Sequence, residues 1–173
     1  LVHRLLEYAT DITLQFIRMM KETGAHMTSN GDSVAGPELI SPAMFRTFAL
    51  PYEKRIVDCS HELGLPYILH ICGNTNAILD DMLATGSDGL ELDYRTDASL
   101  AHEKMKDRAV FVGNIDPSGV LALGTPSLVE ETTRELLTIF ADTPRFVLNA
   151  GCAIPPMTPP ENIHTMIHVA RSF

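Results

Sequence analysis

An α/β fold built on a parallel sheet is what this sequence predicts, and three observations carry that expectation. Helical and strand-like patterns alternate along the chain with few long gaps, which is the rhythm of consecutive βα units. The strand-like runs are short and apolar, as in YILHI, AVFVG and RFVLN, and this suits strands covered on both faces. Polar residues collect just past those runs: Asn30 and Asp32, Cys72 and Asn74, Asp93, Asn114 and Asp116, Asn149 and Cys152. A doubly wound sheet shares the alternation, but polar groups at the carboxyl ends of successive strands are the mark of a (β/α)8 TIM barrel. Five strand runs make five of eight units. The expectation is therefore a partial barrel, one domain over residues 1–173 forming its C-terminal portion, with about three leading units missing. A start on Leu1, already inside a helical pattern, agrees with this.

The elements follow in order. Leu5, Leu6, Ala9, Ile12, Phe16, Ile17 and Met20 keep a helical period up to Gly24. A strand at 25–30 ends in Asn30-Gly31-Asp32. Ser41 is placed to cap a helix that has Pro42 at its first position. Its stripe is Phe45, Phe48, Tyr52, Ile56, Cys59 and Leu63, and Gly64 stops it. Strand 66–71, helix 75–84, strand 88–93, helix 97–106 and strand 109–114 come next. Thr125-Pro126 starts a helix over 126–140, a strand occupies 145–149, and Thr158-Pro159-Pro160 opens a last helix to about residue 171. Neither the G-x-G-x-x-G fingerprint of dinucleotide folds nor a P-loop is present.

Composition narrows the function classes. The chain is 45% hydrophobic and 20% charged, as in ordinary globular proteins. Its net charge of -9 argues against a nucleic-acid partner, whose phosphates call for clustered Lys and Arg. No apolar run approaches the ~20 residues of a membrane span. Three widely spaced cysteines make no disulfide framework, so a reduced, cytoplasmic setting is expected.

The chemistry centres on LPYILHICGNT, residues 65–75. Side chains two apart on a strand point to the same side, so Ile68, His70 and Cys72 share one face and Tyr67, Leu69 and Ile71 the other. His70 and Cys72 are either a hydrogen-bonded histidine beside an inert buried thiol or two ligands of one metal. Cys152 lies just past the last strand, and parallel topology brings it to the same rim. Together the three would make a Cys2His set, a catalytic zinc arrangement with an open fourth position; alternatively Cys152 only fills a turn. Cys59 sits on the buried stripe of its helix and reads as core. His164 and His168 have metal-pair spacing but lie on a polar flank, and His3, His26, His61 and His102 have no visible partners. Asp32, Asp93 and Asp116 are strand-end carboxylates that suit either catalysis or turn capping. The methionines, Met82, Met105 and Met157 among them, are expected to fill core gaps.

LHICGNT, SPAMFRTFALPYEKRI, GNIDP and NAGCAIPPMTPPENI together resemble the carboxyl-terminal part of the uroporphyrinogen decarboxylase superfamily. More closely they are similar to its corrinoid-dependent methyltransferase branch, typified by methylcobamide:coenzyme M methyltransferases. The resemblance runs from about residue 25 to the end, and its most specific elements are the His-x-Cys-Gly run and the distant Gly-Cys. It implies a (β/α)8 barrel that binds catalytic Zn2+ through His70, Cys72 and Cys152. It also implies an acidic residue, here Asp93, near the zinc's free position. The decarboxylases proper do not carry the His-x-Cys pair at this strand, which favours the methyltransferase branch.

The implied reaction passes a methyl group from a methylated corrinoid, carried by a partner corrinoid protein, to a small thiol such as coenzyme M. The thiol reacts as a zinc thiolate, and Asp93, Asp32 or Asp116 accepts the released proton or orients the substrate. Two alternatives stay open: a metal-free decarboxylase of tetrapyrrole metabolism, and a non-catalytic fragment or corrinoid-protein docking module. An incomplete barrel would expose sheet edges and apolar surface, so self-association is expected.

Overall fold

The computed structural model of the chain describes residues 1–173. Five parallel strands form a single sheet: β1 (Thr28–Gly31), β2 (Tyr67–Ile71), β3 (Gly89–Leu92), β4 (Val110–Ile115) and β5 (Phe146–Ala150). Each strand pairs with its neighbour in sequence, in the order β1-β2-β3-β4-β5. A doubly wound sheet reverses direction at a switch point. This one never does, so the strands are consecutive staves of a partial (β/α)8 barrel.

Seven helices accompany the sheet: α1 (Val2–Glu22), α2 (Pro42–Phe48), α3 (Leu50–Glu62), α4 (Leu79–Ala84), α5 (Ala98–Met105), α6 (Pro126–Ile139) and α7 (Pro160–Ser172). The single helix expected over 42–63 breaks at Ala49 into α2 and α3. Pro51 is the physical reason, since its ring lacks an N–H and crowds the carbonyl four residues back. Caps fix the helix starts. Ser41 accepts from the Met44 N–H, Asp97 from Ser99 and Leu100, and Thr125 from Leu128. The long connection after β4 holds a π-helical turn, Pro117–Ala122, with Asp116 as its cap.

Burial of β2 is one-sided, which corrects the expectation that both faces would be covered there, whereas β4 is buried on both faces from Phe111 to Ile115. Tyr67, Leu69 and Ile71 face the helices and are fully buried, whereas Ile68, His70 and Cys72 on the other face are only half-buried. On β5, Val147 is 50% exposed. Five staves curl but do not enclose their inner face, so it stays open to water. The helix-side core is continuous and includes Met82 and Met105, both fully buried. Met157 departs from the expectation: it sits in the loop after β5 and is 89% exposed.

α1 shows the same incompleteness. Ile17 is buried and Arg55 of α3 pairs with Asp11 at 2.9 Å, yet Leu5, Ile12 and Phe16 of the apolar stripe are more than half exposed. A cavity of about 430 Å³ lies between α1 and β1, lined by Ile12, Phe16, Met20, Met27, Asn30 and Tyr67 among others. No helix is long and apolar enough to cross a membrane.

At the far end of the sheet, Phe111, Phe140 and Phe146 pack ring against ring, with Phe111 4.3 Å from Phe140 and Phe140 4.6 Å from Phe146 between centroids. They anchor α6 to β4 and β5. Phe111→Ala leaves a void in a site with no exposed surface. We expect it to lower the unfolding free energy by about 3–5 kcal/mol in urea titration; a loss under about 1 kcal/mol would show that these rings are not what holds the helix down.

Candidate metal centre

The geometry of the rim starts from strand period two. His70, the fourth residue of β2, and Cys72, just beyond its end, point to the open inner face, as their spacing requires. β5 ends at Ala150, and the tight turn at Gly151 delivers Cys152 to the same rim. The ligand atoms of His70, Cys72 and Cys152 lie within 4.8 Å of one another, and His70 Nε2 is 3.1 Å from Cys72 Sγ. Donor atoms around a tetrahedral zinc sit roughly 3.3–3.8 Å apart, given its bond lengths. The set therefore fits such an ion with small adjustments of side-chain torsions. His70 Nδ1 is 3.0 Å from the main-chain carbonyl of Glu91. That oxygen can only accept, so the proton sits on Nδ1 and Nε2 keeps its lone pair toward the two sulfurs.

The loop that follows Cys72 is tied to the loop after β3 by buried polar bonds. The Asp93 carboxylate, 7% exposed, accepts the Gly73 N–H at 2.9 Å with Oδ2 and the Arg95 N–H at 3.0 Å with Oδ1. The Thr96 hydroxyl accepts the Thr75 N–H at 3.0 Å and reaches the Gly73 carbonyl at 3.1 Å. Asn114 donates to the carbonyls of Asp93 and Thr96 at 3.1 and 2.9 Å. Gly73 adopts φ +82°, which disfavours any side chain, and a β-carbon there would also meet the Glu38 carboxylate at 2.8 Å. At Gly151 a β-carbon would stand 2.4 Å from the Tyr94 amide nitrogen. Glycine is the residue that lets the end of β5 close on the end of β3.

Three polar side chains complete the surroundings. Ser33 Oγ lies 3.1 Å from Cys72 Sγ. Glu91 of β3, the register partner of His70, places Oε2 3.5 Å from His70 Nδ1. Asn149 of β5 donates to Glu91 Oε1 at 2.9 Å. Asn149 was legible as a strand-end polar residue, whereas Ser33 and Glu91 were missed. The one signal for Glu91 is a charge inside an otherwise apolar strand, GLEL.

The structure gives the three strand-end aspartates different settings. Asp93 borders the cluster, and its charge acts on Cys152, but both of its oxygens are engaged by main-chain N–H groups. Asp116 caps the π-helical turn, accepting from Ser118 and Gly119 at 2.8 and 2.9 Å. The Asp32 carboxylate lies beside Glu53 of α3. None of the three belongs to the group of converging ligand atoms. Burial pushes the Cys152 thiol above its ordinary range, and the neighbouring Cys72 pushes in the same direction. Cys59 is buried in α3, and His164 and His168 are exposed, as their sequence positions indicate. His3, His61 and His102 do have partners, namely Tyr52, Asp88 and Asp142, all distant in sequence.

Comparison with known proteins places this geometry in context. The family model for uroporphyrinogen decarboxylase (URO-D) matches residues 1–173. The methylcobamide:CoM methyltransferase MtbA of Methanosarcina acetivorans is 35% identical over 173 residues, covering 100% of the chain and 50% of that protein. The uroporphyrinogen decarboxylase of Syntrophotalea carbinolica is 31% identical over 159 residues, covering 92% of the chain and 45% of that protein. A solved methyltransferase from Methanosarcina mazei superposes with a TM-score of 0.85 at 32% identity, over 95% of this chain and 47% of that one. The chain thus spans about half the length of the curated relatives it matches.

The carboxyl pair behind the rim makes stability depend on pH. Glu53 is 3% exposed, and burial first, then the Asp32 charge, raises its pKa from 4.5 to about 8. Between those values the folded chain holds a proton that the unfolded chain releases. The stabilisation is complete below about 4.5 and is lost as pH rises through about 8. Glu53→Gln removes the titration. The decline in unfolding free energy from about pH 5 to about pH 8.5 should therefore flatten by on the order of a few kcal/mol. Parallel wild-type and variant profiles would dismiss this account of Glu53.

Proposed function

Because the chain belongs to the uroporphyrinogen decarboxylase family, we propose that it is the C-terminal barrel portion, one domain over 1–173, of a zinc-dependent methyltransferase. Its reaction moves a methyl group from a methylated corrinoid, carried by a partner protein, to a small thiol such as coenzyme M. The observation that carries this reading is the convergence of His70, Cys72 and Cys152 within 4.8 Å. Similarity to proteins named methylcobamide:CoM methyltransferase supports it. Similarity to decarboxylases of nearly equal identity leaves the choice of branch to that cluster.

A Zn2+ ion held by these three residues supplies the positive charge that lowers a thiol's pKa from about 8.5 and keeps the sulfur nucleophilic at neutral pH. The transfer forms a sulfur–carbon bond while the cobalt–carbon bond of the corrinoid substrate breaks, its electron pair staying on cobalt, and the thiol proton leaves. The residues of this chain set the conditions. His70, with Nδ1–H tied to the Glu91 carbonyl, offers one nitrogen in a fixed direction. Cys72 is steadied by Ser33 on one side and His70 on the other. Asp93 is the carboxylate whose charge reaches the cluster, and it acts by fixing the Gly73 turn behind Cys72. Asp32 and Asp116 lie outside the converging group: Asp116 caps the π-helical turn, and Asp32 stands beside Glu53.

Zinc content of the purified chain and methylcobalamin demethylation by the full-length product of its gene test the reading together. We expect stoichiometric zinc in wild type, its loss in Cys72→Ala and Cys152→Ala, and demethylation that falls with it. Zinc that survives both substitutions would sink the ligand assignment, and absence of zinc with tetrapyrrole binding would favour a decarboxylase.

The unpaired edges of β1 and β5, with the bare stripe of α1, also support association of this chain with further copies. Sedimentation should show mass rising with concentration, and Phe16→Glu should reduce it; a monomer throughout would count against this.

A further inference from the structure

We infer that Glu91, strapped by Asn149, is a positioning residue that holds β2, β3 and β5 at the spacing a metal bound by His70, Cys72 and Cys152 requires. The inference rests on the proposed function and goes beyond it, since neither side chain belongs to the ligand set. β3 and β5 are not neighbours, because β4 lies between them. Glu91 is level with Val112 on β4, and Asn149 is level with Asn114, two residues nearer the rim. The Glu91 side chain therefore crosses β4 diagonally to reach Asn149 at 2.9 Å. Main-chain pairing already fixes each strand to the next. This bond adds a direct tie between the strand that orients His70 and the strand that leads, three residues later, to Cys152.

Glu91 joins both halves of the set. Its main-chain carbonyl takes the Nδ1 proton of His70, and its carboxylate stands 3.5 Å from the same nitrogen. A carboxylate beside a ligating imidazole raises the basicity of the opposite nitrogen and fixes the ring plane. Left alone, a glutamate 31% exposed on an open face would sample several rotamers. The Asn149 amide selects the one that places its charge beside His70. Truncating either partner leaves the carbonyl of residue 91 in place, so His70 keeps its tautomer. What is lost is the strap and the placement of the charge.

The test uses the whole chain, with Zn2+ alone as probe in competition against a chromophoric chelator and Co2+ as spectroscopic reporter. Glu91→Ala and Asn149→Ala should each weaken Zn2+ binding by about 10–100-fold, with far-UV circular dichroism unchanged. The double variant should bind no more weakly than Glu91→Ala, because one strap is broken either way. Glu91→Gln keeps an acceptor for Asn149 but not the charge, so it should recover the strap's share of the lost affinity and bind more tightly than Glu91→Ala; it also keeps the test open if the alanine variant folds poorly. Thiolate-to-cobalt absorption should shift in the alanine variants and return in Glu91→Gln. Wild-type affinity in both alanine variants, additive losses in the double variant, or Glu91→Gln as weak as Glu91→Ala would each overturn the inference alone. A wild type that takes up no zinc would overturn the proposed function and this inference with it.

Discussion

The bond from the Gly73 N–H to the Asp93 carboxylate, 2.9 Å long and buried, is the interaction on which the rim depends. A parallel sheet brings the ends of its strands to one side but leaves each following loop free to wander. Asp93 removes that freedom at the residue after Cys72. Thr96, Thr75 and Asn114 extend the tie into a closed network in which donors meet acceptors with no water needed. Charge-assisted bonds from main-chain N–H groups to a buried carboxylate are among the stronger ones available, and breaking one leaves a buried charge short of a partner. Arg95 adds an outer layer by pairing with Glu38 at 2.7 Å, over the same glycine. Cys72 is thus followed at once by a loop that is bonded to its neighbour.

Much of this was legible in the sequence, for reasons that also explain what was not. His70 and Cys72 could be placed on one face because strand period is local. Cys152 could be brought to them because a parallel topology has only one carboxyl rim. Every strand and most helices fell where apolar runs, caps and prolines put them. What failed depends on pairs remote in the chain. The approach of Glu91 to His70 rests on the register between β2 and β3, and no sequence period encodes register. Ser33 meets Cys72 across a gap of 39 residues through a short turn with no strong pattern of its own. For a related reason a strand-end aspartate reads alike whether it faces a ligand or a loop amide, so both roles stay open in the sequence; Asp93 and Asp116 accept loop amides.

The two faces of the sheet explain why a core and an open site coexist in so short a chain. Residues toward the helices are sealed, and 26 buried residues join there into one cluster. That side holds the core of the chain. The inner face keeps polar side chains at half exposure, where His70, Glu91 and Asn149 can hydrogen-bond one another and still meet solvent. A fully enclosed interior would make the same groups costly unless each were satisfied.

The electrostatics of the rim carry the last step. Two thiols and an imidazole are held within 4.8 Å, and burial first, then the neighbouring Cys72, opposes ionisation of Cys152. The neighbouring charges do not relieve it: Glu91 and Asp93 are both carboxylates, and the Arg95 cation is taken by Glu38. In a chain of net charge -9, the charges that act on Cys152 are those of Cys72 and Asp93. Such a site repels a second thiolate and attracts a cation by the same field. A divalent metal would reverse the sign of the local potential, turning the proximity of Cys72, Cys152 and the nearby carboxylates from a penalty on ionisation into the source of affinity.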